Sequence, residues 1–118
     1  MPQLQGFYAG GEIVKLFAQG IDGESAERIK SLYGSAALES IFSNAALTSA
    51  CFCLFENDLN VSLTASKLYM HRNTLIYSIN KIKRLSGLNL CRFSDAVTFI
   101  LLYALSGREI VGAGGDAE

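Results

Sequence analysis

Apolar residues recur at helical spacing along most of this chain. No segment shows the sustained alternation of apolar and polar residues that is typical of a strand. The pattern therefore predicts an all-α fold, a helical bundle whose helices are separated mainly by glycines such as Gly20, Gly34 and Gly107. In the first half of the chain the predicted helices span residues 12–19, 24–33, 36–42 and 45–56, and Asp22, Ser35 and Asn44 are the predicted N-caps of the last three.

Two further predicted helices, joined by a short turn, form the most informative part of the sequence. The first spans 62–68, with Ser62 as its predicted N-cap and the small Ala65 where two helices must cross closely. Residues 69–71 are the predicted turn, and the second helix spans 72–85, with Gly87 as its predicted C-terminal stop. A short helix, a tight turn and a longer helix in this order predict a helix-turn-helix.

The longer of these two helices has two contrasting faces. Its apolar residues recur every three or four positions and are predicted to form a core stripe: Leu75, Ile79, Ile82 and Leu85. The opposite face is polar, aromatic and basic: Asn73, Tyr77, Asn80, Lys81 and Arg84. Such a face suits a helix that lies in the major groove of double-stranded DNA.

The charge distribution favours the same function, although the whole chain has a formal net charge of only −1. Residues 1–59 carry a net charge of −4 and residues 95–118 carry −3, whereas residues 60–94 carry +6 and contain no acidic side chain. The positive charge thus lies on the predicted helix-turn-helix, where phosphate contacts would need it. A solvated basic helix face is the alternative interpretation of this charge run.

The chemistry of individual side chains in this segment suggests which part of DNA each would contact. Arg72 and Asn73, at the start of the second helix, suit the base edges of guanine and adenine. Three basic residues suit phosphates, which fix register without reading sequence: Lys67, Lys81 and Arg84. Lys83, nearer the apolar side, is expected to be ordinary solvated charge.

Three more residues keep two interpretations each. Thr74 either contacts a phosphate or a thymine methyl group, or uses its hydroxyl locally at the helix start. Tyr77 either stacks on or bonds to DNA, or flanks the core. His71 either packs in the turn or bonds a phosphate. The complete predicted DNA-binding site is Ser62, Lys67, His71, Arg72, Asn73, Thr74, Tyr77, Ser78, Lys81 and Arg84.

Composition narrows the class of protein. Half of the 118 residues are apolar and the mean hydropathy is +0.27, which favours a protein that covers surface with a partner chain or a further domain. The first residues lack the features of a signal peptide, and the most apolar run, 96–105, is shorter than the roughly 20 residues that cross a bilayer. We therefore expect a cytoplasmic protein that does not contact the membrane.

The cysteines and the single histidine do not suggest a metal site. Cys51 and Cys53 are two residues apart on a predicted helix, so they point in nearly opposite directions, and His71 is remote from them in sequence. We expect all three cysteines, Cys91 included, to be small buried hydrophobes, and we expect no metal and no cofactor.

The last predicted helix, 94–105, is apolar on more than one face. We expect it to be the central core helix of the domain, a dimer interface, or both. DNA-binding domains of this size commonly dimerise to read two half-sites, so a homodimer is expected.

Several motifs resemble a known family. They are HRNTL at residues 71–75, followed by Tyr77, Lys81-Ile82, SGL at 86–88 and FSDA at 93–96, with the lead-in segments FEND at 55–58 and NVS at 60–62. With these motifs, about residues 36–105 resemble the C-terminal helix-turn-helix domain of the purine-catabolism regulator and sugar-diacid regulator family (PucR/CdaR-like). The resemblance implies a bacterial transcriptional regulator that binds double-stranded DNA. The sequence offers no convincing pair of catalytic carboxylates, nucleophile–base set or phosphate-cradling glycine loop, so we do not expect an enzyme.

The resemblance also sets expectations about the rest of the chain. Residues 1–35 would be a helical N-terminal segment or the remnant of an upstream domain, 36–106 the DNA-binding domain, and 107–118 a flexible tail. An effector, if there is one, would bind to a domain that is absent from this chain. Ser78 departs from the family pattern, which usually has arginine there, so one DNA contact would be missing.

The alternative function is a helical protein-interaction or dimerisation module without DNA binding.

Overall fold

The computed structural model describes the backbone of residues 7–107 and the side chains of residues 12–107. Within this range the chain forms seven α-helices and no strand, which confirms the predicted all-α fold. The helices are α1 (Phe7–Gln19), α2 (Gly23–Ser31), α3 (Ser35–Phe42), α4 (Ala45–Glu56), α5 (Val61–Lys67), α6 (Arg72–Ser86) and α7 (Phe93–Leu105).

Two of the predicted N-caps are confirmed by hydrogen bonds. The carboxylate of Asp22 accepts from the backbone N–H of Ser25 at 2.7 Å, and the side-chain oxygen of Asn44 accepts from that of Leu47 at 3.0 Å. These bonds satisfy donors that the first turn of a helix leaves without a backbone partner. The Asp22 bond also holds the pKa of this carboxyl below its usual value, since the N–H of Ser25 stabilises the charged form.

The other two predicted N-caps are wrong. Helix α5 begins one residue earlier than expected, and its N-cap is Asn60, whose side-chain oxygen accepts from the N–H of Leu63 at 2.9 Å. Ser62 therefore lies inside the first turn of α5. Similarly, Ser35 is the first residue of α3, and the N-cap position belongs to Gly34, which has a positive φ of 91° and no side chain to offer.

The core is built around α4 and α7. Helix α4 buries six of its twelve residues, and Leu54 among them is completely inaccessible. Helix α7 contributes Phe99 and Leu102, which are 0% and 1% exposed, so its core role is confirmed. Aromatic rings meet edge to face across this core at centroid distances of 4.9–6.3 Å, and they belong to Phe42, Phe52, Phe55, Phe99 and Tyr103.

Two helices end in a left-handed residue that is not glycine. After α4, Asp58 has a φ of 55°, and after α5, Tyr69 has the same value. In both places the next residue donates its N–H back to the helix, from Leu59 to the carbonyl of Leu54 at 2.9 Å and from Met70 to that of Ala65 at 3.0 Å. This backbone pattern is the Schellman motif, which satisfies carbonyls at a helix end.

The N-terminal helices pack on the same body as the rest. Helix α1 contacts α7, and α2 contacts both α3 and α7. The outer side of α1 nevertheless leaves apolar residues in solvent: Ile13, Leu16 and Phe17 are between 56% and 72% exposed. The predicted tail lies almost wholly outside the described residues.

The cysteines only partly follow the prediction. Cys51 and Cys53 are buried, but Cys91 is exposed, so the expectation for that residue is wrong. Cys91 lies in the loop between α6 and α7, where its neighbours Leu88 and Leu90 occupy the buried positions at 3% and 0% exposure.

Among the described residues, no single helix is both long and apolar enough to cross a membrane. Helices α3 and α4 have the required length and composition only as a pair, which is bent by 87°.

Candidate functional site

Helices α5 and α6 pack against one another through a four-residue connection, residues 68–71. Ala65 lies in α5 at 3% exposure, which is consistent with its expected place at the helix crossing. The connection turns sharply because Tyr69 adopts a left-handed conformation and its N–H bonds to the carbonyl of Ser66 at 3.1 Å. The arrangement is the predicted helix-turn-helix.

The inner face of α6 is the apolar stripe. Leu75, Ile79 and Ile82 are 2%, 6% and 0% exposed, as predicted. The fourth expected member, Leu85, is 43% exposed, so that assignment is wrong. At about 100° per residue, Leu75, Ile79 and Ile82 fall within about 60° of one another around the helix axis, and Leu85 lies about 60° beyond Ile82, at the edge of this stripe.

The outer face of α6 is opposite to this stripe and is open to solvent. Tyr77 is 63% exposed, and four polar or basic residues share its exposed face: Asn73, Asn80, Lys81 and Arg84. Asn73, Tyr77, Asn80 and Arg84 are spaced by three or four residues, so they follow one another along a single side of the helix. Asn73 and Tyr77 both lie outside the core, as a side of the helix that faces DNA requires.

His71 begins α6. Its Nδ1 atom accepts a hydrogen bond from the backbone N–H of Asn73 at 3.2 Å, and the residue itself is exposed. A neutral imidazole that accepts at Nδ1 carries its proton on Nε2, which leaves one N–H donor for another partner. The structural role of His71 is therefore that of an N-cap, a role that the sequence did not predict.

Arg72, the first residue of α6, reaches back to α5. Its Nε–H donates to the hydroxyl of Ser62 at 3.0 Å, and both side chains are exposed. This bond connects the beginnings of the two helices of the motif. Sequence reasoning missed it, because the two residues are ten positions apart and only the helix crossing brings them together.

The remaining predicted site residues divide by exposure. Thr74 is exposed in the first turn of α6, and Ser78 is half-buried on the flank of the helix. All six basic residues between positions 60 and 94 are exposed: Lys67, Arg72, Lys81, Lys83, Arg84 and Arg92. The basic segment is therefore accessible to a polyanion along its whole length.

One further exposed aromatic residue was not assigned to the site from the sequence. Tyr69, in the turn, has 96% of its surface exposed. It was predicted only as part of the turn between α5 and α6. The signal that could have found it is an aromatic residue in a turn between the two helices of the motif, since such a side chain has no core to enter.

The end of α6 is fixed independently of its outer face. Gly87 has a left-handed φ of 84° and its N–H bonds to the carbonyl of Lys83, which confirms the predicted stop. Beyond it, the N–H of Asn89 donates to the carboxylate of Asp95 at 3.0 Å, so α7 anchors the loop that follows α6. Neither of these bonds involves a side chain of the outer face of α6.

Comparison with known proteins agrees with this geometry. Residues 51–105 match the family model of the PucR C-terminal helix-turn-helix domain. The carbohydrate diacid regulator of Escherichia coli is 35% identical over 68 residues, which is 58% of this chain and 17% of that protein. The uncharacterized protein YxkF of Bacillus subtilis is 45% identical over 42 residues, which is 36% of this chain and 14% of that protein. No solved structure matches the chain significantly.

The motif and its exposed basic face thus define a DNA-binding domain of a transcriptional regulator. Residues 51–105 match the helix-turn-helix domain of the PucR family, and this match, together with the similarity to the carbohydrate diacid regulator, confirms the predicted resemblance. The chain covers less than a fifth of each of these two relatives.

Proposed function

We propose that this chain binds the major groove of double-stranded DNA with the outer face of α6, and that Arg72 and Asn73 read base edges there. Both residues are exposed in the first turn of the helix, the part that comes closest to the bases in helix-turn-helix complexes. Arginine pairs well with guanine and asparagine with adenine, because each side chain can make two hydrogen bonds to one base.

A second group of residues would bind the phosphate backbone. Lys67, at the end of α5, and Lys81 and Arg84, two to three turns into α6, are all exposed. Contacts of this kind supply affinity and register but carry no sequence information. Tyr69 joins this group in the proposal, because its exposed hydroxyl in the turn can donate to a phosphate oxygen.

The three residues that had two interpretations are assigned as follows. Tyr77 contacts DNA, since it is 63% exposed in the middle of the outer face. Thr74 contacts the phosphate backbone or a thymine methyl group from the same turn as Asn73. His71 offers its Nε2 N–H to a phosphate while Nδ1 caps the helix. Ser78, half-buried on the flank, has at most a peripheral role.

The observation that carries the proposal is the division of α6 into two faces. The side of Leu75, Ile79 and Ile82 is buried, and the side of Asn73 and Tyr77 is open. The open side of α6 carries asparagine, tyrosine and basic residues. Packing within the chain does not explain them, because the other side of the helix is the one buried in the core.

The proposal also covers the oligomeric state and the cellular location. The chain acts as a homodimer in the cytoplasm of a bacterium, and an effector acts through a domain outside this sequence. Apolar residues that α7 leaves open support a dimer, since Phe93 is 78% exposed and Leu101 is 41% exposed. Two copies would present two α6 helices to successive turns of the major groove.

The decisive experiment for this function is the selection of duplexes from a random pool by the 118-residue chain. The proposal expects a consensus that contains guanine and adenine in each half and is two-fold symmetric. Enrichment of a single, asymmetric site would overturn the dimer while leaving DNA binding intact. Failure to enrich any sequence would contradict base reading.

A further inference from the structure

The guanidinium of Arg72 is not free in the structure, although it is exposed. Its Nε–H donates to the Ser62 hydroxyl at 3.0 Å, a distance well within the range of good hydrogen bonds. Arginine side chains have several rotatable bonds, and an exposed one ordinarily samples many orientations. A bond from the neighbouring helix reduces that freedom before any DNA is present.

Ser62 has no competing structural task. Asn60 is the N-cap of α5, and its side-chain oxygen accepts from the backbone N–H of Leu63. Ser62 lies two residues after Asn60 and is exposed. A serine in the first turn of a helix frequently bonds to its own backbone, and here it instead accepts from Arg72, ten residues along the chain.

The donors of Arg72 that remain are those that base reading needs. A guanidinium has five N–H groups in a rigid plane, and the bond to Ser62 uses the one on Nε. The four on the two terminal nitrogens stay available, and their parallel geometry matches the O6 and N7 acceptors of guanine. The Ser62 hydroxyl also keeps its own proton, which can be donated to a phosphate oxygen.

We infer that Ser62 is a positioning residue that orients the Arg72 guanidinium for end-on pairing with guanine. Ser62 thereby contributes to sequence specificity without touching a base. This inference rests on the proposed function, because it requires that Arg72 reads a base. It adds a residue of α5 to the determinants of specificity, which otherwise lie on α6.

The test measures affinities of the 118-residue chain and its variants for two duplexes of equal length, the one selected by the wild-type chain and one of random sequence. Ser62→Ala should lower the ratio of the two affinities by about three- to tenfold, as expected for the loss of one exposed hydrogen bond to a charged group. Ser62→Thr retains the hydroxyl and should restore most of that ratio. Ser94→Ala is the matched control, because Ser94 occupies the same exposed second position of α7 and should leave the ratio unchanged.

A double-mutant cycle separates positioning from a general structural effect. In the Arg72→Ala background, Ser62→Ala should change the ratio no further, since there is no guanidinium left to orient. Equal losses in both backgrounds would overturn the inference. An unchanged ratio in Ser62→Ala, while Arg72→Ala lowers it, would overturn the role of Ser62 alone. If the wild-type chain does not distinguish the two duplexes, the proposed function itself fails.

Discussion

The Nδ1 atom of His71 accepts a hydrogen bond from the backbone N–H of Asn73 at 3.2 Å, so the side chain that caps α6 is bonded to the backbone of a residue of its outer face. The two residues are neighbours in the proposed DNA site. His71 thus links two properties that are measurable separately, the stability of the helix start and the affinity for phosphate.

Variants of His71 should separate these two properties. His71→Ala removes the cap and should lower the free energy of unfolding by about 1 kcal/mol, whereas His71→Asn supplies another good cap and should retain it. Both variants lose the Nε2 donor, so both should bind DNA more weakly. Urea titration measures the first effect and DNA titration the second. An alanine variant as stable as the wild type would show that the cap is unimportant.

Ile82, in the apolar stripe of α6, and Leu85, at the edge of this stripe, should differ in their contribution to stability. Ile82 is 0% exposed and Leu85 is 43% exposed. Ile82→Ala should therefore lower the free energy of unfolding by about 2–5 kcal/mol, because it leaves a cavity, and Leu85→Ala should cost less than about 1 kcal/mol. The comparison is made by urea titration of the two variants. Similar costs would mean that Leu85 belongs to the stripe after all.

Thiol reactivity should distinguish Cys91 from the other two cysteines. Burial raises the pKa of the Cys51 thiol to about 12, and burial with the nearby Glu56 carboxylate raises that of Cys53. Since the thiolate is the reactive form, both should react slowly with an aromatic disulfide reagent at pH 8. Cys91 is exposed and should react rapidly. Cys91→Ser should abolish the rapid phase, and a rapid phase that survives this change would contradict the burial of Cys51 and Cys53.

DNA affinity should depend strongly on salt. If four of the six exposed basic residues reach phosphates, log K should fall with log salt at a slope of about −4 per subunit. Lys81→Ala should make the slope shallower by about one. Arg28→Ala removes an exposed charge of α2, outside the helix-turn-helix, and should not change the slope. A wild-type slope near zero would mean that these residues do not contact the backbone.

Much of this fold follows from local signals in the sequence. Helix α4 was predicted with its observed bounds, because a good cap, Asn44, stands directly before a continuous apolar segment. The end of α6 was equally clear, since Gly87 supplies the left-handed conformation that the helix end requires. At these two boundaries, local chemistry and tertiary structure agreed.

The remaining details depend on contacts between segments. Asn60 and Ser62 are both good caps two residues apart, and the sequence does not show which of them begins α5. The left-handed residues Asp58 and Tyr69 are not glycines, so their turns carry no strong local signal. The bond from Arg72 to Ser62 arises only from the crossing of α5 and α6. The candidate site was therefore predictable as a face of α6 but not as a set of positioned side chains.

The central claim, that the start of α6 reads bases while its later turns hold the backbone, is tested most directly by comparing Arg72→Ala with Lys81→Ala. Each variant is titrated with the duplex selected by the wild-type chain and with a random duplex of the same length. Arg72→Ala should lose about 1–3 kcal/mol on the selected duplex and clearly less on the random one. Lys81→Ala should weaken binding to both by similar factors. Equal losses on the two duplexes for Arg72→Ala would contradict the assignment of this residue to base reading.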